Sequence, residues 1–143
     1  GLELTRPFRA LKVWMTLAHV GARELGAAIE SNLDCARHLA ALVEASDDFE
    51  MMAPVGLSIF CFRHLDAAAR VEVVRTEQEE RRLDGWNERL LRALQRGGSS
   101  FLSNASLRGR FALRGCVLNY RTTRRDMEIL LDDLRREARA LSA

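Results

Sequence analysis

The run Leu57-Ser58-Ile59-Phe60-Cys61-Phe62 constrains this chain more than any other segment. It is too short to pack as a helix. Apart from Ser58 it is apolar on both faces that a strand presents, so it reads as a covered central strand. Its neighbours must then supply the partner strands and the cover. Phe49 to Met52 reads as a short strand, and Pro54-Val55-Gly56 as a turn. Ser100 to Ser103 and Phe111 to Leu118 read as a second strand pair, with Arg108-Gly109-Arg110 near the turn.

The cover comes from segments with helical spacing. Pro7 suits the first turn of a helix, where its missing N–H does no harm. Phe8, Leu11, Met15 and Ala18 then recur at steps of three and four, the period of a buried helical stripe. Gly21 breaks the pattern or sits just past its end. A second helix follows through Leu25, Ile29, Leu33, Ala36, Leu39 and Val43, closed by Ser46-Asp47-Asp48. Residues 64 to 82 are the least legible, with 76 to 82 a charged connection or exposed helical turn. Leu83, Trp86, Leu90, Leu91 and Leu94 define a third helix that Gly97-Gly98 terminates. Thr123-x-x-Asp126 resembles a capping box, opening a last helix through Met127, Leu130, Leu131, Leu134, Ala138 and Leu141. The order predicts an α+β two-layer sandwich, an antiparallel sheet of about four strands packed with helices. Residues 1–143 form one domain, with N-terminal helices over 1–46 and an α+β unit over 47–143.

Composition narrows the function classes. The 143 residues carry a net charge of +2, too near neutrality to point to nucleic acid. No apolar run approaches the ~20 residues of a membrane span. Gly1-Leu2-Glu3-Leu4 lacks the basic and apolar regions of a signal peptide, and the missing initiator Met leaves room for a longer parent. Cys35, Cys61 and Cys116 sit in apolar contexts without C-x-x-C spacing. They are expected to be buried free thiols, as in a reducing cytoplasm. His19, His38 and His64 have no metal-ligand spacing with them and read as helix-surface or strand-end residues. Arg124-Arg125 and Arg135-Arg136 read as solvated helix faces. Trp14 and Trp86 read as core or interface aromatics.

Three segments carry a family resemblance. Arg6-Pro7-Phe8-Arg9-Ala10-Leu11-Lys12-Val13-Trp14 resembles the "R-x-F-R-(A/S)-L-K-x-W" helix of group II pyridoxal-phosphate-dependent amino-acid decarboxylases. Gly56-Leu57-Ser58-Ile59-Phe60-Cys61-Phe62-Arg63 is similar to their "G-L-x-x-x-C-F-R" strand. Arg110-Phe111-Ala112-Leu113-Arg114, continuing to Leu118-Asn119-Tyr120-Arg121-Thr122-Thr123, resembles their "(R/K)-(F/Y)-x-L-R … N-x-R-T-T" passage. The family includes aromatic amino-acid, histidine, glutamate and sulfinoalanine decarboxylases, and the matched region is its C-terminal small domain.

The resemblance implies a homodimeric parent acting on an amino acid. A preceding large domain would hold pyridoxal phosphate through a Schiff-base lysine, an aspartate at the pyridinium nitrogen and a stacked histidine. Lys12, the sole lysine here, belongs to the "A-L-K-x-W" helix; in the Schiff-base motif a histidine precedes the lysine, whereas here Leu11 does. The chain alone is therefore expected to bind no cofactor and to have no catalytic residue. Its expected partners are the large domain or a second subunit.

Three residues stand out as substrate-pocket candidates: Thr5, Arg6 and Arg114. Arg114 interrupts an apolar strand, on the face shared by the small residues Ala112 and Cys116. A guanidinium held there needs an anionic or well-bonded partner. That partner is a substrate carboxylate or an acidic side chain at the pocket mouth. The alternatives are a structural salt bridge or a snorkelling edge arginine. Thr5 and Arg6 precede the first helix, where the resemblance implies proximity to substrate; an ordinary segment leading into a helix explains them as well. Pro7 departs from the Arg of animal enzymes. Ser103 and Asn104 border the cofactor cleft or simply end a hairpin. The second class of function is a free-standing, non-catalytic α+β dimerisation or interaction module.

Overall fold

The computed structural model describes residues 8–71 and 74–142. The elements run α1 (Arg9–Val20), α2 (Ala22–Glu44), β1 (Phe49–Met51), β2 (Ile59–His64), α3 (Glu77–Gly97), β3 (Ser103–Leu107), β4 (Arg110–Cys116) and α4 (Arg124–Ser142). The four strands form one antiparallel sheet in the order β1-β2-β4-β3. Phe60, Phe62 and Leu113 share one face. They join Leu39 and Val43 of α2, Leu83, Leu90 and Leu94 of α3, and Leu130 and Leu134 of α4 in one core. The α+β two-layer sandwich is the observed architecture.

Several boundaries differ from the sequence reading, each for a local reason. The central strand starts at Ile59, two residues late. Gly56 and Ile59 exchange backbone hydrogen bonds across Leu57-Ser58, and Leu57 takes a φ of 54° and is exposed. Leu57-Ser58 is thus a tight turn, and the apolar run mixes turn with strand. The expected strand Ser100–Ser103 lies instead at Ser103–Leu107. Arg108 and Gly109 both have positive φ, 53° and 77°, the two-residue hairpin turn whose twist matches the strands. Leu107 faces Arg110 across it, and this pairing sets the register back to Ser103–Arg114.

The charged stretch 76–82 opens α3. The Thr76 side chain accepts from the Glu79 backbone N–H while the Glu79 carboxylate accepts from the Thr76 N–H, a capping box. At α4 the Asp126 carboxylate accepts from both the backbone and the hydroxyl of Thr123.

The largest departure is at the N-terminal end. The stripe Phe8, Leu11, Met15 and Ala18 is not buried: no residue of α1 is, and Trp14 is 66% exposed. In α2 the buried residues begin only at Cys35. The first 27 described residues, 8–34, therefore extend from the core as an apolar-faced helical arm. Pro7 lies outside the described residues. Cys35 and Cys61 are buried as expected, but Cys116, at the end of β4, is exposed.

Gly115 is required by packing. It faces Phe60 across the β2–β4 pair, and a Cβ there would lie 2.2 Å from the Phe60 ring. Gly115→Ala should destabilise the chain by about 1–3 kcal/mol in urea unfolding. Adding Phe60→Leu should recover part of that loss; no recovery would mean that the ring contact is not the cause.

Candidate functional site

Arg114 lies in β4, an inner strand, with Cys61 of β2 and Ser103 of β3 as cross-strand neighbours. Alternation gives it the face of Ala112 and Cys116, opposite the helix-covered core. Its side chain is half-buried, and among the described residues no carboxylate or other side-chain acceptor meets its guanidinium. Ser103 donates its hydroxyl to the Arg114 backbone carbonyl at 3.2 Å. Burial pushes the Cys61 thiol up, and the charge of Arg114 opposes this. The geometry therefore offers neither an internal salt bridge nor a sheet edge for Arg114. It leaves a forked donor able to receive an oxyanion on the sheet face. Asn104, on edge strand β3, is exposed. Thr5 and Arg6 lie outside the described residues, so Arg114 is the one candidate whose surroundings are seen.

Arg63, Arg75, Arg110 and Arg135, by contrast, meet carboxylates. Arg63, on the same sheet face, is nearly fully buried. Its Nη1 donates to Glu80 Oε2 at 2.6 Å and its Nε to Glu50. Arg75 also binds Glu50, at 3.2 Å, and Arg110 lies 3.6 Å from Glu80. Burial disfavours the charged guanidinium of Arg63, but the two carboxylates outweigh it and raise its pKa. The hydrogen bond from Arg63 holds Glu80 below the usual carboxylate range. This cluster joins β1, β2, the start of α3 and the β3–β4 hairpin. Its sequence signal was a lone arginine ending an apolar strand, with a Glu run 14 to 17 residues on (Glu77, Glu79, Glu80).

Arg135 is not on a solvated face either. It grips Asp48 with two hydrogen bonds, at 2.7 and 3.0 Å. Burial tends to raise the Asp48 carboxyl, yet this grip keeps it below the ordinary value. His64 closes β2 as a strand-end residue but is buried. The Trp86 indole N–H donates to its Nδ1 at 3.0 Å, and Asn87 bonds both its backbone N–H and its carbonyl. Trp86 is a core residue, whereas Trp14 is exposed.

Pyridoxal phosphate does not fit the residues described. Lys12 stands on the exposed helix α1, beside a shallow groove lined by Val13, Thr16, Leu17 and Leu25. No phosphate cradle, ring partner or acid accompanies it there.

Comparison with known proteins bears on the fold and the family. The model of the pyridoxal-dependent decarboxylase conserved domain matches residues 1–65. Over 127 residues the chain is 30% identical to an aromatic-L-amino-acid decarboxylase of Bacillus atrophaeus, covering 89% of this chain and 25% of that protein. Over 116 residues it is 31% identical to a phenylacetaldehyde synthase of Arabidopsis thaliana, covering 81% and 22%. The crystal structure of Oryza sativa TDC with PLP and tryptamine superposes with a TM-score of 0.80 at 25% identity, covering 98% of this chain and 28% of that one. The fold and the sequence together make this chain a relative of the group II pyridoxal-phosphate-dependent amino-acid decarboxylases. It spans about a quarter of the length of the curated relatives it matches.

The buried imidazole makes a pH prediction. Burial lowers the His64 pKa from 6.5 to about 4. Between those values the unfolded chain binds the proton and the folded chain does not, so stability falls as pH falls. The slope is at most about 1.4 kcal/mol per pH unit, up to about 3 kcal/mol in all. Carboxylates held low by arginines lose their contribution only below their unfolded values, near pH 4. Urea midpoints at pH 7, 5.5 and 4.5 should decline progressively, and His64→Gln should flatten the decline. An equally steep decline in His64→Gln would exclude His64 as its source.

Proposed function

We propose that this chain is the C-terminal small domain of a pyridoxal-phosphate-dependent L-amino-acid decarboxylase. In that parent, a cytoplasmic homodimer, it contributes to the substrate pocket and to dimer assembly, and it is inactive alone. The observation that carries the reading is the agreement of nearly the whole chain with about one quarter of each relative. The uncovered apolar face of the 8–34 arm supports it, because such a face needs a surface to lie on. The bound cofactor supplies the electron sink for loss of CO₂, and it is held by the remainder of the parent. This chain's part is to present Arg114 and the segment carrying Thr5 and Arg6 to the substrate, with the guanidinium taking a carboxylate. Lys12 as the sole lysine favours a second reading, a free-standing non-catalytic module that dimerises through the arm.

Sedimentation and dye binding test the arm. The isolated chain should self-associate or bind an apolar dye through α1. A strict monomer at high concentration with no dye binding would contradict both readings. Mixed with pyridoxal phosphate and reduced with borohydride, the chain should yield no stoichiometric adduct. A stoichiometric adduct lost in Lys12→Ala would overturn the assignment of Lys12.

In the longer parent, Arg114→Met keeps much of the stem and removes the charge and the forked donors. It should lower kcat/KM by roughly 30- to 150-fold, the loss of about 2–3 kcal/mol from one charged hydrogen-bonded contact. Melting temperature should hold, since no internal acid is stranded. A drop of several degrees with unchanged kinetics would remove Arg114 from the substrate site.

A further inference from the structure

At the opposite end of β2 from the Leu57 turn, a cleft of about 570 Å³ opens between the strand end and α4. Its walls include His64, Trp86, Arg70, Arg135 and Arg139, with the two aspartates Asp48 and Asp66. Such a volume suits a small molecule. What the cleft would bind follows from which of these charges are already satisfied.

Both aspartates are occupied. Asp48 is gripped through both oxygens by Arg135. Asp66 is bound by two nitrogens of Arg82 and accepts the Ala69 backbone N–H at 3.0 Å. The arginines are not balanced in the same way. Arg70 donates only its Nε, to the Leu65 carbonyl at 3.1 Å, and no acceptor among the described residues takes its two terminal nitrogens. Arg139, in the last turns of α4, has no hydrogen bond or ion pair among the described residues. Two guanidiniums thus line the cleft without a counter-charge.

His64 adds a third donor, and its direction is fixed by its neighbour. Nδ1 accepts the Trp86 indole N–H at 3.0 Å, so this nitrogen carries no proton and the ring proton must sit on Nε2. Nε2–H has no acceptor among the described residues, although the residue is only 4% exposed. The cleft that His64 lines is where an acceptor can reach it. Ser142 lines the same wall, but its hydroxyl is turned back onto the Ala138 carbonyl at 2.9 Å and is not counted among the free donors.

We propose that this cleft is a binding site for a small oxyanion, the carboxylate or phosphate group of a compact molecule. The oxyanion is held between the Arg70 and Arg139 guanidiniums and the Nε2–H of His64. The site is separate from the Arg114 face. It does not depend on the decarboxylase reading, because binding can be followed in the isolated chain without any turnover.

The test is a titration of the isotopically labelled chain with inorganic phosphate, and in parallel with acetate, against chloride at equal ionic strength. The Trp86 indole N–H reports on the site through its bond to His64, and the exposed Trp14 indole is the internal reference. The Trp86 resonance should shift along a saturating curve while Trp14 stays put. Arg70→Gln and Arg139→Gln should each weaken binding by about tenfold, the scale of one charge-assisted hydrogen bond. Both side chains are exposed at the surface, so the fold should survive their replacement. Arg125→Gln, at the far end of α4, should leave binding unchanged. A stronger response to phosphate assigns a dianionic ligand, and an equal or stronger response to acetate assigns a carboxylate. Shifts that are linear, shared with Trp14, or unaltered in both arginine variants would overturn the site.

Discussion

The structure depends on a buried arginine. Arg63 stands one residue before the end of the most apolar strand of the chain, with only 4% of its surface exposed. A guanidinium in that position is tolerable only if carboxylates meet it with good geometry. Glu80 meets it with both oxygens and Glu50 with one. Removing one partner of such a cluster generally costs about 3–5 kcal/mol, because the other charge is stranded. The requirement organises what surrounds it. Glu50 holds the short edge strand β1 to β2. Glu80 reaches Arg63 only because the Thr76–Glu79 capping box starts α3 where it does. Arg110 brings the β3–β4 hairpin to the same carboxylate. One residue further, His64 turns to the helix-covered face and is locked by Trp86 and Asn87 of α3. Successive residues of β2 thus tie the sheet to α3 by charge and then by neutral hydrogen bonds.

Much of the fold was legible where hydrophobic period and cap chemistry agree. The last helix shows both, with Thr123 and Asp126 at its start and an unbroken apolar stripe behind them. The failures share a physical pattern: an apolar residue need not be buried, and a charged one need not be solvated. Leu57 belongs to an apolar run but makes a turn with positive φ. The α1 stripe has helical spacing yet no core to face within the described residues. Conversely, Glu80 and Arg135 read as surface charges in a linear sequence and become clasps once Arg63 and Asp48 meet them. The position of β3 was hidden because its register is set at Arg108-Gly109, and Ser103 to Leu107 carries little apolar signal of its own. In the candidate site, the isolation of Arg114 was readable from its apolar neighbours. Its lack of an internal partner needed coordinates. The His64–Trp86 pair had no sequence signal, since the two residues lie 22 positions apart on different elements.

Together these features divide the chain into two parts of different character. From Cys35 onward, helices and sheet bury a common apolar core and clasp several of their charges to one another, while the Arg114 face and the His64 cleft keep free donors. Before Cys35, the chain presents apolar side chains that the described residues do not cover. The proposed reading as one domain of a longer enzyme requires these properties. The relation to decarboxylases about four times as long accords with the same division.

Native-state hydrogen exchange on the isolated chain tests this division most directly. The account predicts that amides of β2, β4 and α3 are protected close to the full unfolding free energy. Those of α1 and of α2 before Cys35 should open with a free energy of about 0–2 kcal/mol, as fraying elements do. Uniform protection from Arg9 to Ser142, in a chain shown to be monomeric, would contradict the account. It would mean that the N-terminal helices belong to the domain's own core and need no further surface.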